Sequence, residues 1–299
     1  MQKDIVNVAV VNFESVWGDK EKNLNRILGY TECAAKRGAD IVVFPELALT
    51  DYAGDTENSG ENMMHRRLAE TLPGPSSEAV AELTRRYGIY VIYGLAERDG
   101  DKVYNAAAVV GPDGLIGSSR KMHLPWSEAE WAERGDKPFY FESPWGPIGV
   151  GICYDTYAFG EVMRYFRALG CRLYLNPTAV DTNVTAQNVK DAVEYLSANN
   201  CIYIASANLT GAATANDMIG GSNIIGPSKN APAVHYYAGQ AFGSPGSDEQ
   251  EMYLGTLDLS YVNKSFLSKQ WKENDPDFRP ELYIDMYRQI QEKFNRKEK

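Results

Sequence analysis

Histidine is scarce in this sequence. Among 299 residues there are three, His65, His123 and His235. None stands in an HxH or HExxH arrangement, so the sequence gives no support for a histidine-built metal site. Cysteine is scarce too. Cys33, Cys153, Cys171 and Cys201 lie far apart with no CxxC pair, which argues against a zinc cluster and against a disulfide framework. Long apolar runs are missing. The apolar run in MQKDIVNVAVVNFE is too short and too interrupted for a signal peptide, and no later stretch is long enough to span a bilayer. The expectation is a cytoplasmic protein without a membrane partner. Basic charge is in short supply as well. Lys and Arg total 30 against 40 Asp and Glu, a formal net charge of -10. Such a surface repels a phosphate backbone, so no nucleic-acid partner is expected.

Apolar residues make up 44% of the chain, enough to bury a substantial core. The length suits one large α/β domain or two ordinary ones. Short apolar runs alternate with helical patterns. Strands are expected at 4–13, 39–46, 89–97, 103–111, 115–124, 147–155, 172–177, 201–208, 221–227 and 252–260. Helices are expected at 20–37, 76–87, 159–169 and 184–199, with a charged helix from about 280. There is no linker and no internal repeat. Several strands follow one another directly between the helices at 76–87 and 159–169. Pure βαβ winding would not do that, so the α/β fold is expected to hold a mixed sheet or two sheets.

Three reactive side chains fall at strand ends. GICYD places Cys153 where a buried strand passes into a loop and then a helix, the layout of a nucleophile elbow. The competing reading is a small buried hydrophobe, the usual fate of a free cysteine. For Cys33 on an apolar helix face, and for Cys171 and Cys201 inside apolar strands, that competing reading is the better one. VVFPE ends an apolar strand on Glu46, and SSRKMHLP ends one on Lys121. Their competing readings are a solvated loop carboxylate and a surface lysine. Taken together the three make chemical sense. A thiol needs a base, or a cation that lowers its pKa, to become a good nucleophile. Glu46 supplies the base and Lys121 the cation, and no histidine is needed. On this reading the Cys153 thiolate is more available than that of an ordinary cysteine. The other three thiols are shielded by burial.

FPELALTDY around Glu46, RKMHLP around Lys121 and GICYD around Cys153 resemble the nitrilase superfamily, the carbon–nitrogen hydrolases. The resemblance runs from the first strand to about residue 260. It implies a four-layer α-β-β-α sandwich, read here as a single domain over 1–299 with a helical tail from about 265. It also implies chemistry without a metal or organic cofactor. By the same resemblance Glu46 is the general base, Lys121 an oxyanion stabiliser and Cys153 the nucleophile, with the backbone N–H of Tyr154 as second oxyanion donor. A further glutamate is implied between lysine and cysteine, seven residues before a Gly-Asp pair. Glu128 before Gly135-Asp136 fits, and Glu130 competes.

Two departures concern the pocket rim. Asp51 stands in TDY where the family often has TGY, and Gly160 stands in AFGE where a proline is usual. Tyr154-Asp155 after the cysteine resembles the amidase and carbamoylase branches rather than the Trp-Glu of nitrilases. The expected substrate is therefore a small amide or N-carbamoyl compound, cleaved to acid and ammonia. Tyr52, Trp126 and Tyr154 are candidate substrate contacts, against the plainer reading of core packing. His123 reads as a structural, hydrogen-bonding histidine. A nitrilase or an amide-forming acyltransferase is the alternative within enzymes. A catalytically silent binding protein is the alternative outside them. Family dimers pack the helix after the nucleophile, so EVMRYFRALG, with Val162, Met163, Phe166 and Leu169, implies a homodimer or a larger even assembly, against the plainer reading that these side chains pack on the chain's own sheet, as some must.

Overall fold

Period-two alternation divides the strands between two buried clusters. In β1 (Ile5–Asn12), Val6, Val8 and Val10 face one cluster while Ala9 and Val11 face another. β2 (Ile41–Val43) repeats the split, Ile41 and Val43 against Val42. A register slip of one residue would exchange these faces, which is what holds the register.

The computed structural model describes the chain except residues 1, 53, 213–216, 229–233, 264–269, 273–274, 277 and 298–299. It divides into two units, 1–262 and 263–299. In the first unit α1 (Lys20–Lys36) and α3 (Pro75–Tyr87) alternate with β1, β2 and β3 (Tyr90–Asp99), with the short α2 (Met64–Leu68) between. Then β4 (Lys102–Gly111), β5 (Gly114–Arg120), β6 (Phe139–Ser143) and β7 (Gly146–Val150) follow without an α-helix. Next come α4 (Tyr154–Tyr157), α5 (Gly160–Ala168), β8 (Leu173–Thr178), α6 (Ala186–Asn200) and β9 (Tyr203–Asn208). A small hairpin pairs β10 (Thr210–Ala212) with β11 (Asp217–Ile219), before β12 (Asn223–Pro227), β13 (Val234–Gly239) and β14 (Glu251–Asp258).

Two six-stranded mixed sheets result, ordered β14-β1-β2-β3-β4-β5 and β13-β12-β9-β8-β7-β6. Their facing sides share one core, in which Val8, Ile41 and Ile92 of the first sheet join Ile148, Leu175 and Ala205 of the second. α1 and α3 cover the outer side of the first sheet through Ile27, Ala34, Val80 and Ala81. α5 and α6 cover the second through Met163, Phe166, Val189 and Val193. This is the four-layer α-β-β-α sandwich that the resemblance implies. β14 returns to pair antiparallel with β1, Ile5 opposite Asp258, a closure no local pattern announces.

In the second unit β15 (Gln270–Lys272) pairs with β16 (Asp275–Pro276), and α7 (Pro280–Lys297) is the charged helix expected from about 280. The helical tail expected from about 265 begins among residues outside those described. Among the described residues, no helix is long and apolar enough to cross a membrane.

Three expected strands prove shorter, and the shortening matters for the site. β2 stops at Val43, β5 at Arg120 and β7 at Val150, so Glu46, Lys121 and Cys153 all sit just past a ladder. Pro45 cannot donate to a ladder, and the chain turns there. Gly94 makes room for that turn: a Cβ on it would lie 2.1 Å from the Leu47 nitrogen and 2.5 Å from the Pro45 oxygen. Val162, Met163 and Phe166 are buried in this chain's own core, and only Leu169 of the four is exposed, near the exposed Tyr165.

Candidate active site

Glu46, Lys121, Glu128 and Cys153 converge, although they come from four separate segments and both sheets. Lys121 is fully buried. Its Nζ donates to Glu46 Oε1 at 2.7 Å and to Glu128 Oε1 at 2.5 Å. Asn105 on β4 ties the two carboxylates together, its Nδ2 donating to Glu46 Oε1 at 2.7 Å and to Glu128 Oε2 at 3.2 Å. The Tyr52 hydroxyl donates to Glu128 Oε1 at 2.5 Å, and Lys121 Nζ lies 5.6 Å from the centre of the Tyr52 ring. Glu128 and its competitor Glu130 share a short 3₁₀ turn, Trp126–Glu130, on which Glu128 is buried and Glu130 exposed.

Two carboxylates therefore share one ammonium out of contact with water. Burial pushes the Glu46 carboxyl up, the Lys121 charge pulls it down and the Glu128 charge pushes it up again, leaving it above the usual range. Burial would lower Lys121, but Glu46 and Glu128 outweigh it and hold the ammonium well above its ordinary value. One carboxylate oxygen, Glu46 Oε2, is buried and has no hydrogen-bond partner among the described residues. That lone pair is free to take a proton.

Cys153 caps α4 at φ 49° and ψ −104°, a conformation that an L-residue rarely adopts. Buried polar groups hold it there. Its N–H donates to Pro177 O at 3.0 Å and to Asn176 Oδ1 at 3.2 Å, and Asn176 in turn donates to Ser206 at 3.0 Å. Gly151 lets Tyr174 pass beneath the turn, since a Cβ there would sit 1.9 Å from the Tyr174 hydroxyl. The expected easily ionised thiol is not what this environment makes. Burial raises the Cys153 pKa far above the ordinary value, Glu46 raises it further, and Lys121 offsets only part. The thiol is 3% exposed, and burial disfavours its ionised form.

The other cysteines depart from expectation in placement. Cys33 is exposed. Cys201 is half-buried and ends α6 in the left-handed region, at φ 49°. Cys171 is buried just before β8, its pKa pushed up to about 12 by burial. Of the candidate substrate contacts, Tyr52 joins the charged cluster. Tyr154 packs edge-on against Tyr157 and Phe159. Trp126 stands apart, 82% exposed at the start of the turn carrying Glu128.

Sequence reasoning missed Asn105, Tyr157 and the Asn176 support. Asn105 left one signal, a polar residue inside the apolar run VYNAAAVVG. Tyr157 left none. Burial keeps its phenol protonated, with Cys153 and Glu46 close enough to reinforce that.

His65 also escaped notice. It lies under the loop that carries Asp51 and Tyr52, stacked on Trp131 at 4.3 Å, and its Nε2–H donates to the Asp51 carbonyl at 2.9 Å. Asp51 itself has φ 78°, so this loop is held in a strained shape. Burial lowers the His65 pKa to about 4. An unfolded histidine titrates near 6.5, so the unfolded chain binds the extra proton first as pH falls. Stability is full above about 6.5 and is lost through the window down to about 4, by about 3 kcal/mol. Melting curves from pH 7 to 4 for the native protein and His65→Phe check this. The gap between the two should change across that window, and a constant gap contradicts the assignment.

The carbon–nitrogen hydrolase family model matches residues 7–231. The chain is 30% identical to the omega-amidase NIT2 of Danio rerio over 255 residues, covering 81% of this chain and 85% of that one. It is 31% identical to a nitrilase of Pyrococcus abyssi over 252 residues, covering 84% and 91%. Among solved structures, Nit3 of Saccharomyces cerevisiae, a member of branch 10 of the nitrilase superfamily, superposes with a TM-score of 0.75 at 23% identity, over 88% of this chain and 93% of that one.

Proposed function

Because the chain belongs to the carbon–nitrogen hydrolases of the nitrilase superfamily, we propose that it cleaves a small amide or N-carbamoyl compound to acid and ammonia, with Cys153 as nucleophile. The observation that supports this reading is a buried cysteine beside a buried lysine that is shared by Glu46 and Glu128, with Glu46 Oε2 lacking a hydrogen-bond partner among the described residues.

The steps follow from that arrangement. Cys153 Sγ attacks the amide carbon while Glu46 takes the thiol proton, so a buried thiolate never stands alone. The carbonyl oxygen gains negative charge, and the Lys121 ammonium and the Tyr154 N–H stabilise it. Tyr154 opens α4, and the first amides of a helix have no acceptor within it. Protonated Glu46 then returns the proton to the leaving nitrogen, ammonia departs and a thioester remains. Water attacks the thioester, Glu46 again takes the proton, and the acid leaves as the Cys153 thiol is restored. Glu128 and Asn105 hold Lys121 and Glu46 in register throughout.

The substrate class is tested by product analysis with amides, N-carbamoyl compounds and nitriles. Acid and ammonia should form from amides, and amine, carbon dioxide and ammonia from N-carbamoyl compounds. Turnover of nitriles alone would favour the nitrilase reading, which the Pyrococcus relative keeps in view. A hydroxamate formed with added hydroxylamine would show that an amine can replace water.

The same proposal includes a single hydrolase domain and a homodimer. Support for the dimer comes from Tyr165, Leu169 and Tyr195, which are 43%, 42% and 65% exposed on α5 and α6. Light scattering at micromolar concentration should give twice the chain mass. A monomer mass would refute the dimer without touching the chemistry.

A further inference from the structure

Lys121 and Cys153 belong to different sheets, and their relative position needs an explanation that neither supplies. β5 ends at Arg120, so the amides of Met122 and His123, just after Lys121, lie beyond the sheet's ladder. One carboxylate takes both. Asp155, two residues past Cys153 and 1% exposed, accepts the Met122 N–H on Oδ2 at 3.0 Å and the His123 N–H on Oδ1 at 2.9 Å. It also meets His123 Nδ1 at 2.7 Å, and the imidazole stacks on Phe159, with ring centres 3.5 Å apart. The chain entering Lys121 is fixed separately. Lys121 N–H donates to Asn105 O at 2.8 Å, and Gly135 N–H donates to Lys121 O at 2.8 Å.

We infer that Asp155 is a positioning residue that clamps the segment after Lys121 to the nucleophile turn through two consecutive backbone amides, and so sets the distance between the Lys121 ammonium and the carbonyl oxygen under attack. This rests on the proposed role of Lys121. A carboxylate suits the task because it is all acceptor, with two oxygens that can each meet a separate N–H. Asparagine has nearly the same shape, but its NH₂ would face one of the two amide donors. The ring of His123 is secondary on this view, because the two backbone bonds survive its removal.

The size of the effect follows from geometry. A displacement of about 1 Å at a catalytic group can cost on the order of a hundredfold in rate. Asp155→Asn should therefore lower kcat by roughly ten- to a hundredfold with KM nearly unchanged. His123→Ala should lose far less. A stability defect alone would not separate these cases, so the deciding experiment is a double-mutant cycle on the full chain. It measures kcat for Asp155→Asn, Lys121→Met and the pair, with near-ultraviolet circular dichroism to verify folding. If Asp155 acts through Lys121, adding Asp155→Asn to Lys121→Met costs little more. Losses that multiply, or an Asp155→Asn enzyme with native kcat, overturn the inference. Native turnover by Lys121→Met overturns the role of Lys121 and the inference with it, a result distinct from the other two. If Asp155→Asn does not fold, Asp155→Ser, which keeps one acceptor, enters the same cycle and is read the same way.

Discussion

Glu46→Gln should lower kcat by on the order of a hundredfold or more while the protein keeps its fold, judged from typical general-base contributions. The amide keeps the shape of the carboxylate and can still accept from Lys121 through its oxygen. What it loses is the ability to take a proton. That loss is severe here because the Cys153 thiol is buried, with a pKa carried far above its ordinary value by burial and by the Glu46 charge itself. The same reasoning fixes the pH dependence. Attack needs Glu46 ionised, and its pKa is raised by burial. Activity should therefore fall as pH drops through a value above the ordinary carboxylate range, higher than a solvated glutamate would give. Steady-state kinetics from pH 5 to 8 check both points. Near-native turnover by a folded Glu46→Gln enzyme would remove Glu46 from the mechanism.

Lys121→Met should damage rate and stability together. The rate falls because the charge that meets the oxyanion is gone, a loss on the order of a hundredfold or more. Stability falls because Glu46 and Glu128, 0% and 5% exposed, lose their shared cation. Breaking a buried ion pair by removing one partner typically costs roughly 3–5 kcal/mol. The carboxylates can escape part of this by binding protons, which raises their folded pKa values above those of the unfolded chain. A group of that kind stabilises the fold below its unfolded pKa and loses that contribution as pH rises toward its folded one. The variant should thus melt closest to the native protein near pH 5 and fall further behind as pH rises to 8. Calorimetry across that range decides it, and a gap that stays constant or narrows with pH would contradict the buried-charge account.

The parts of the site that were legible are those whose cause is local. Pro45 turns the chain before Glu46, and Gly151 leaves room beneath the turn at Cys153, so both positions could be read from short segments. Glu128 was reachable through spacing alone, and burial then separated it from Glu130. What stayed hidden depends on contacts between distant segments. Asn105 joins the charged cluster only because β4 pairs beside β3, and the Asp155 clamp exists only because the two sheets meet at these ends. Burial works against the expected easy ionisation of Cys153, for the same reason. A nearby lysine was expected to lower it, but the sequence does not show that Lys121 is already engaged by two carboxylates, or that the thiol is fully desolvated. The helix after the nucleophile shows the same limit: its sequence does not say which of Val162, Met163, Phe166 and Leu169 pack on the chain's own sheet, and the fold buries the first three.

Inactivation by iodoacetamide, mapped by peptide mass spectrometry in native and Glu46→Gln protein, tests the central claim most directly. Exposed Cys33 should be alkylated in both proteins without loss of activity. In the native protein, loss of activity should follow the label on Cys153 one for one, with the same acid limb as catalysis, because the reagent needs the same proton transfer to Glu46. In Glu46→Gln the Cys153 label should form far more slowly. Inactivation that follows Cys33, Cys171 or Cys201, or a Cys153 label that forms equally fast without the Glu46 carboxylate, would contradict a thiol nucleophile activated by Glu46.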